Sequence, residues 1–231
     1  MVSFSILYEL QVSGPSTDEI ISEKNIEQAR AALSLENKKT VGLFPGSRMG
    51  EIERLLPIML ETAKRLRDKK PELQFVLPLA STVQTEDLVE YGKDLSALKV
   101  HLVENNTHDV IQACDSIIVA SGTATLEIGL MGTPMVITHK LAALSYFILS
   151  RLVKISHIGL VNIVPGKEIV KEFIQHEATP ENLAKETLQI LEDENYNKNM
   201  RAELSKLREL LGTGGGSKNV AKLAYSMLEQ K

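Results

Sequence analysis

Short apolar runs alternate with longer segments of helical period along most of the chain. Thr40 to Phe44 is a short, mostly apolar run and predicts a strand; Pro45-Gly46-Ser47-Arg48 after it predicts a turn. From Gly50 to Lys69 the positions Ile52, Leu55, Leu56, Met59, Ala63 and Leu66 recur at helical spacing, which predicts a helix with one buried face. Further strands are predicted at Leu73 to Leu79, Lys99 to Val103, Ser116 to Ala120 and Met135 to Thr138. Helices are predicted at Asp109 to Cys114 and at Thr123 to Met131, the second stopped by Gly132 and Pro134. Strands apolar on both faces and separated by helices predict an α/β fold, a Rossmann-like parallel sheet flanked by helices. The second half reads as mostly helical, with Leu141 to Leu152, Glu168 to Gln175, Pro180 to Glu192 and Asn195 to Leu211 as its helices. Gly212 to Gly216 then breaks the chain before a last helix, Lys218 to Glu229. At the other end, Asp18 to Leu35 fits a helix and Met1 to Pro15 fits no element. The predicted organisation is an irregular segment over 1–17, one domain over 18–211, and a Gly-rich hinge with a C-terminal helix over 212–231.

Composition narrows the function without naming it. The 231 residues are 43% hydrophobic and 24% charged, ordinary values for a soluble globular protein. A net charge of −4, only 4% aromatic residues and no Trp argue against nucleic acid as a partner. Cys114 is the only cysteine, so no intrachain disulfide can form. No apolar run is long enough to cross a bilayer, and Met1 to Gly14 lacks a basic start and is interrupted by Glu9, unlike a signal peptide. The five histidines form no metal-binding pair, so no metal or other cofactor is expected.

Two strand-to-helix turns carry the candidate chemistry. At Pro45-Gly46-Ser47-Arg48, Gly46 would let a phosphate approach the backbone, Ser47 would add a hydroxyl donor, and Arg48 a guanidinium suited to two-point contact. A plain helix cap by Ser47, with Arg48 in water, is the competing reading. At Ser121-Gly122-Thr123-Ala124 a second strand gives way to a helix, and Glu127 lies one turn further along it. Its carboxylate could accept from a ribose diol while the turn below holds a diphosphate; the competing reading is a charge complementing the helix end. Together the turns describe a nucleoside diphosphate site. Neither a GxxxxGK[ST] loop nor a GxGxxG fingerprint is present, which disfavours ATP hydrolysis and dinucleotide binding.

The stretches Leu43 to Arg48, Glu51 to Pro57, Ser121 to Glu127, Gly132 to Val136, Arg151 to Lys154, Asn162 and Val170 to Gln175, taken together, resemble the lipid-A-disaccharide synthase family of GT-B glycosyltransferases. The resemblance runs from about Asp18 to the end and implies the C-terminal, donor-binding half of a two-domain fold. It implies an inverting transfer of 2,3-diacylglucosamine from UDP to 2,3-diacylglucosamine 1-phosphate in lipid A synthesis, in the cytoplasm and peripherally on the inner face of the inner membrane. Gly46, Ser47, Arg48, Ser121, Gly122, Thr123, Ala124 and Glu127 fall to the UDP site by this resemblance. Asn162 matches an asparagine of the donor site important for activity, and Glu172 and Gln175 lie near the donor. Arg48 and Asn162 are the catalytic candidates, Arg48 as stabiliser of the leaving diphosphate. The family's N-terminal acceptor half has no counterpart in 1–17, so the chain alone is expected to bind UDP weakly and to turn over little. A separately encoded N-terminal half and a homo-oligomer are the expected protein partners. Asp109, Asp115 and His139 could serve as a base by residue type, with structural roles favoured for each. The apolar stretch Lys140 to Ile158 fits a buried core helix, with a membrane surface or the donor's acyl chains as the alternative. Other readings remain open: a different UDP-sugar GT-B enzyme, such as an epimerase, or a non-catalytic UDP-sugar-binding half.

Overall fold

A run without charged residues leaves a strand no solvent face, and β1 (Thr40–Phe44) is buried at all five positions. So is β4 (Ser116–Ala120). In the computed structural model, which describes residues 24–140 and 157–211, these two strands lie side by side in the middle of a six-stranded parallel sheet. The others are β2 (Gln74–Leu79), β3 (His101–Glu104), β5 (Met135–His139) and β6 (Glu172–Ile174), in the order β3-β2-β1-β4-β5-β6. The chain steps outward from β1 to β3, then returns to the far side of β1 to lay down β4. Connections therefore leave β1 and β4 in opposite directions, and a crevice opens between them at the carboxyl edge of the sheet.

The helices are α1 (Ile26–Ala32), α2 (Met49–Lys69), α3 (Gly92–Ala97), α4 (Thr107–Ala113), α5 (Thr123–Leu130), α6 (Leu160–Ile163), α7 (Pro180–Glu192) and α8 (Glu194–Leu211). On one face of the sheet, Leu55, Leu56 and Met59 of α2 and Leu183 of α7 cover Leu43 and Phe75. On the other, Ile111, Ile128, Leu204 and Leu207 pack with Ile117 and Val119. Gly129 lets α5 approach its neighbours closely: a Cβ there would stand 2.9 Å from both Leu207 of α8 and Val161 of α6. No described helix is long and apolar enough to cross a membrane.

One predicted element is of the wrong type. Residues 168–175, read as a helix, hold the short strand β6, paired in parallel with β5 from Ile137–Glu172 to His139–Ile174. Val170, Phe173 and Ile174 do recur at helical spacing, but the open edge of β5 offers ladder hydrogen bonds that an isolated eight-residue helix cannot match. Of the helix predicted over Asp18 to Leu35, the described part is α1, begun by an Asn25–Gln28 capping box. The 3-10 turn Thr85–Tyr91, α3 and α6 carry no strong sequence signal. The irregular 1–17 segment, the Leu141 to Leu152 helix, the Arg151 to Lys154 motif and the 212–231 hinge and helix lie outside the described residues.

The packing of α7 on α8 contains a buried acid. Glu186 accepts a hydrogen bond from Tyr196 Oη at 2.6 Å, and burial pushes its pKa above the usual carboxylate value despite that donor. With the folded pKa raised, the folded state keeps the proton longer, so this group's contribution to stability falls as pH rises from the ordinary carboxylate value through the raised one. Tyr196→Phe leaves the ionised carboxylate without its donor. It is expected to lower the unfolding free energy by about 1–3 kcal/mol at pH 8 and by less at pH 4, read in urea melts. Equal losses at both pH values would contradict this account.

Candidate functional site

The first turn leaves β1 at Phe44. Gly46 takes φ +112°, a backbone region open to glycine, and a side chain there would collide with the Glu51 carboxylate. Arg48, in extended conformation, is the N-cap of α2, and no side chain caps that helix. Ser47 therefore does not close the first turn. Its carbonyl accepts from Thr82 Oγ1 at 2.6 Å, which ties the turn to the loop after β2. The Arg48 side chain is 81% exposed, and its Nη1 donates to Glu51 Oε1 at 3.2 Å. Arg54 folds its guanidinium back toward Gly50, to 3.4 Å from where a Cβ would stand. A 21-residue helix thus begins with uncapped amides, two guanidinium groups and one carboxylate.

The second turn leaves β4 at Ala120. Ser121 N donates to Thr138 O at 3.2 Å, and its hydroxyl donates to Ile158 O at 2.9 Å. Gly122 is the N-cap of α5, again without a side-chain cap, and Thr125 Oγ1 donates to Gly122 O at 2.8 Å. The start of α4, at the same edge, has no side-chain cap either. Side chains do cap α1 and α7, where Asn25 accepts from Gln28 N and Thr179 from Asn182 N, whereas α3 and α6 also begin without one. Three helix starts without a side-chain cap, those of α2, α4 and α5, lie where the sheet opens.

The two turns line one cleft of about 290 Å³, with Gly46, Ser47, Arg48 and Glu51 on one side and residues 121–124 on the other. Ala80 and Thr107 also line it, and they join it to a second cavity of about 370 Å³ bounded by Ser81, Asn105, Asn106 and His108. Glu127 does not line the first cleft. Its Oε1 lies 2.6 Å from His108 Nε2, so the carboxylate meets the second cavity through that imidazole. His108 escapes sequence reading because it belongs to no motif; a place next to the first residue of α4 is its only signal.

Asn162 and Glu172 stand behind the second turn rather than in the cleft. Asn162 is wholly buried. Its Nδ2 donates to Val170 O and Glu172 Oε1, both at 2.8 Å, and its Oδ1 accepts from Ile169 N at 2.7 Å and Val170 N at 3.1 Å. All four hydrogen-bonding valences of the amide are used within the protein, and none is turned toward the cleft. Glu172 also accepts from Ile158 N at 2.8 Å and Gly159 N at 3.1 Å, the amides leading into α6. Ile158 in turn receives the Ser121 hydroxyl, so a continuous chain of hydrogen bonds runs from Asn162 to the second turn. Gln175, in left-handed conformation just past β6, donates its backbone N–H to His139 O at 2.9 Å.

Of the acid–base candidates, Asp109 pairs with Lys24 at 2.5 Å, and Asp115 is buried against Arg30 and Lys39. Both are structural here. His139 ends β5 at the carboxyl edge; burial holds its imidazole below the ordinary value, with Glu51 opposing that shift and Arg54 adding to it. Among the described residues no three His, Cys, Asp or Glu side chains are grouped to hold a metal ion.

The profile of the family described as lipid-A-disaccharide synthetase matches residues 12–224. The lipid-A-disaccharide synthase of Trichlorobacter lovleyi is 44% identical over 220 residues, covering 95% of this chain and 57% of that protein. The lipid-A-disaccharide synthase of Geobacter metallireducens gives the same identity over 221 residues, with the same coverage. The chain thus spans little more than half the length of the curated relatives it matches. Among solved structures, UDP-GlcNAc 2-epimerase from Neisseria meningitidis bound to UDP-GlcNAc aligns with a TM-score of 0.58 at 16% identity, over 97% of this chain and 52% of that one. WaaG, a glycosyltransferase involved in lipopolysaccharide biosynthesis, aligns with a TM-score of 0.60 at 12% identity, over 88% and 51%. At such identities the likeness is one of fold.

Proposed function

The chain belongs to the lipid-A-disaccharide synthetase family, and from that premise we propose that it is the donor-binding half of a glycosyltransferase that moves 2,3-diacylglucosamine from UDP to 2,3-diacylglucosamine 1-phosphate. The observation that carries this reading is the pair of uncapped helix starts facing one cleft at the switch point of the sheet. A diphosphate in that cleft would accept from the first-turn amides of α2 and α5 and from the Arg48 guanidinium. As the glycosidic bond breaks, negative charge grows on the departing UDP. Fixed N–H groups and a guanidinium stabilise that charge more than they stabilise the bound donor, and so lower the barrier.

In this reading the diphosphate lies across Gly46 to Arg48 and Ser121 to Ala124, and the nucleoside extends past Thr107 into the second cavity. Glu127 then accepts from the ribose hydroxyls, with His108 beside it. Asn162 and Glu172 act as positioning residues that hold the segment leading into α6 against Ser121, and Gln175 fixes the end of β6. The acceptor and the base that deprotonates it belong to the other half of the enzyme. The domain over 18–211 is the donor unit. Acylated substrates place the work at the inner face of the inner membrane, as a peripheral contact, and the assembly is a homo-oligomer. The epimerase alternative is supported by fold likeness at 16% identity, the transferase by 44% identity along 95% of the chain.

Calorimetric titration of the chain with UDP and with GDP tests the site. UDP is expected to bind and GDP to bind more weakly. Arg48→Ala is expected to weaken UDP roughly tenfold, the scale of one charge-assisted hydrogen bond. Equal binding of both nucleotides, or an Arg48→Ala variant as tight as the parent, would remove the assignment.

A further inference from the structure

Glu51 is a carboxylate where the proposed ligand brings an anion. It occupies the third position of α2, from which a glutamate side chain commonly reaches back over the helix start to accept from a backbone amide. Here it accepts from no backbone amide among the described residues. One oxygen, Oε1, takes the Arg48 guanidinium at 3.2 Å. The other, Oε2, fills the space that the missing side chain of Gly46 leaves in the turn. The side chain is 30% exposed and lines the cleft. Among the described residues no other acid lines it.

From this arrangement we propose that Glu51 is an internal stand-in for phosphate, and that it sets both the affinity of the cleft and its preference for a diphosphate over a single anion. The inference rests on the UDP reading and goes one step beyond it. In this arrangement the carboxylate takes up the positive end of α2 and holds Arg48 in place. A lone inorganic phosphate meets an Arg48 already paired with a carboxylate. A nucleoside diphosphate brings a second phosphate to the α5 turn and a nucleoside to the second cavity, and these added contacts let it displace Glu51 from Arg48. The same competition runs in reverse when UDP leaves: the carboxylate recovers the guanidinium and hastens release. A helix cap alone would have no such effect, since a cap stabilises the helix whether or not a ligand is present.

The test is calorimetric titration of the parent chain and the Glu51→Gln variant with UDP, uridine and inorganic phosphate, with thermal midpoints recorded in parallel. Removing one negative charge a few ångströms from the diphosphate is expected to tighten UDP roughly fivefold or more. It is also expected to raise phosphate affinity and to leave uridine, which has no phosphate, unchanged. Should the Gln variant fail to fold, Glu51→Ala carries the same expectation, because it too removes the carboxylate charge from beside Arg48 and Gly46. UDP binding by the parent with no tightening in a folded variant would overturn the role of Glu51 and leave the UDP site standing. Equal tightening of uridine and UDP would overturn it as well, since the effect would not act through the phosphates. Failure of both proteins to bind UDP would overturn this proposal together with the functional reading on which it rests.

Discussion

Asp115→Ala is expected to lower the unfolding free energy by about 3–5 kcal/mol, the usual cost of stranding a buried charge. Asp115 opens the chain into β4, and one of its oxygens accepts from Arg30 Nη2 at 2.6 Å and from the backbone N–H of Thr40 at 2.7 Å. The other accepts from Lys39 Nζ at 2.8 Å. The Arg30 side chain is only 8% exposed and also donates to Ala113 O and Asn37 Oδ1. Without Asp115 that guanidinium stays buried and loses its counter-charge, while the amide at the start of β1 loses its acceptor. For a chain of this size the change corresponds to a fall in thermal midpoint of roughly 10 °C. Because the network lies at the amino ends of β1 and β4, opposite the cleft, the variant molecules that remain folded should bind UDP as the parent does. A loss below about 1 kcal/mol in chemical denaturation would show that the network is worth little more than a surface ion pair.

Glu127→Ala should weaken UDP by roughly ten- to a hundredfold, since hydrogen bonds to an ionised group contribute about 1.5–3 kcal/mol. The comparison that isolates the ribose is UDP against its 2′-deoxy analogue. The parent should prefer UDP, and the variant should bind the two alike. His108 gives the expectation a particular form. With the carboxylate removed, the imidazole at 2.6 Å loses its partner and is free to turn into the second cavity. His108→Ala should therefore weaken UDP by less than Glu127→Ala. A Glu127→Ala variant that still distinguishes UDP from the deoxy analogue would move the ribose elsewhere.

Where a segment's local pattern and its burial agree, the fold was legible. The runs at Thr40 to Phe44 and Ser116 to Ala120 carry no charged residue and are mostly apolar because both faces of β1 and β4 are covered by helices, and their bounds matched the structure. The helix starting near Gly50 was legible because its apolar stripe is long. Strand β6 was not, because Glu172, Phe173 and Ile174 are half-buried on an edge and their spacing suits either element. The candidate site divides in the same way. Gly46, Ser47, Arg48 and residues 121–124 sit in strand-to-helix turns, which sequence reveals, and they do share a cleft. Asn162 and Glu172 were read as neighbours of the donor, whereas their hydrogen bonds point inward to each other and to the segment before α6. No pattern along the chain discloses the direction in which an amide or carboxylate points. Glu51 and His108 went unnoticed as site residues for a related reason, since each matters through a partner, Arg48 or Glu127, that only the fold brings near.

The strand order also bears on how the protein reaches its native state. Val41 lies opposite Ser116 and Phe44 opposite Val119, so the central pair of the sheet joins parts of the chain that are distant in sequence. Loop closure over such a span is slow, and β1 and β4 should zip together late, after the local β1-α2-β2 unit has collapsed. The proposed nucleotide cleft straddles that seam, so a half-assembled chain owns either of its lining turns but never both in register. Nucleotide capture would then report completed assembly and nothing earlier, and UDP added during refolding would hold the finished molecule by mass action without speeding its formation.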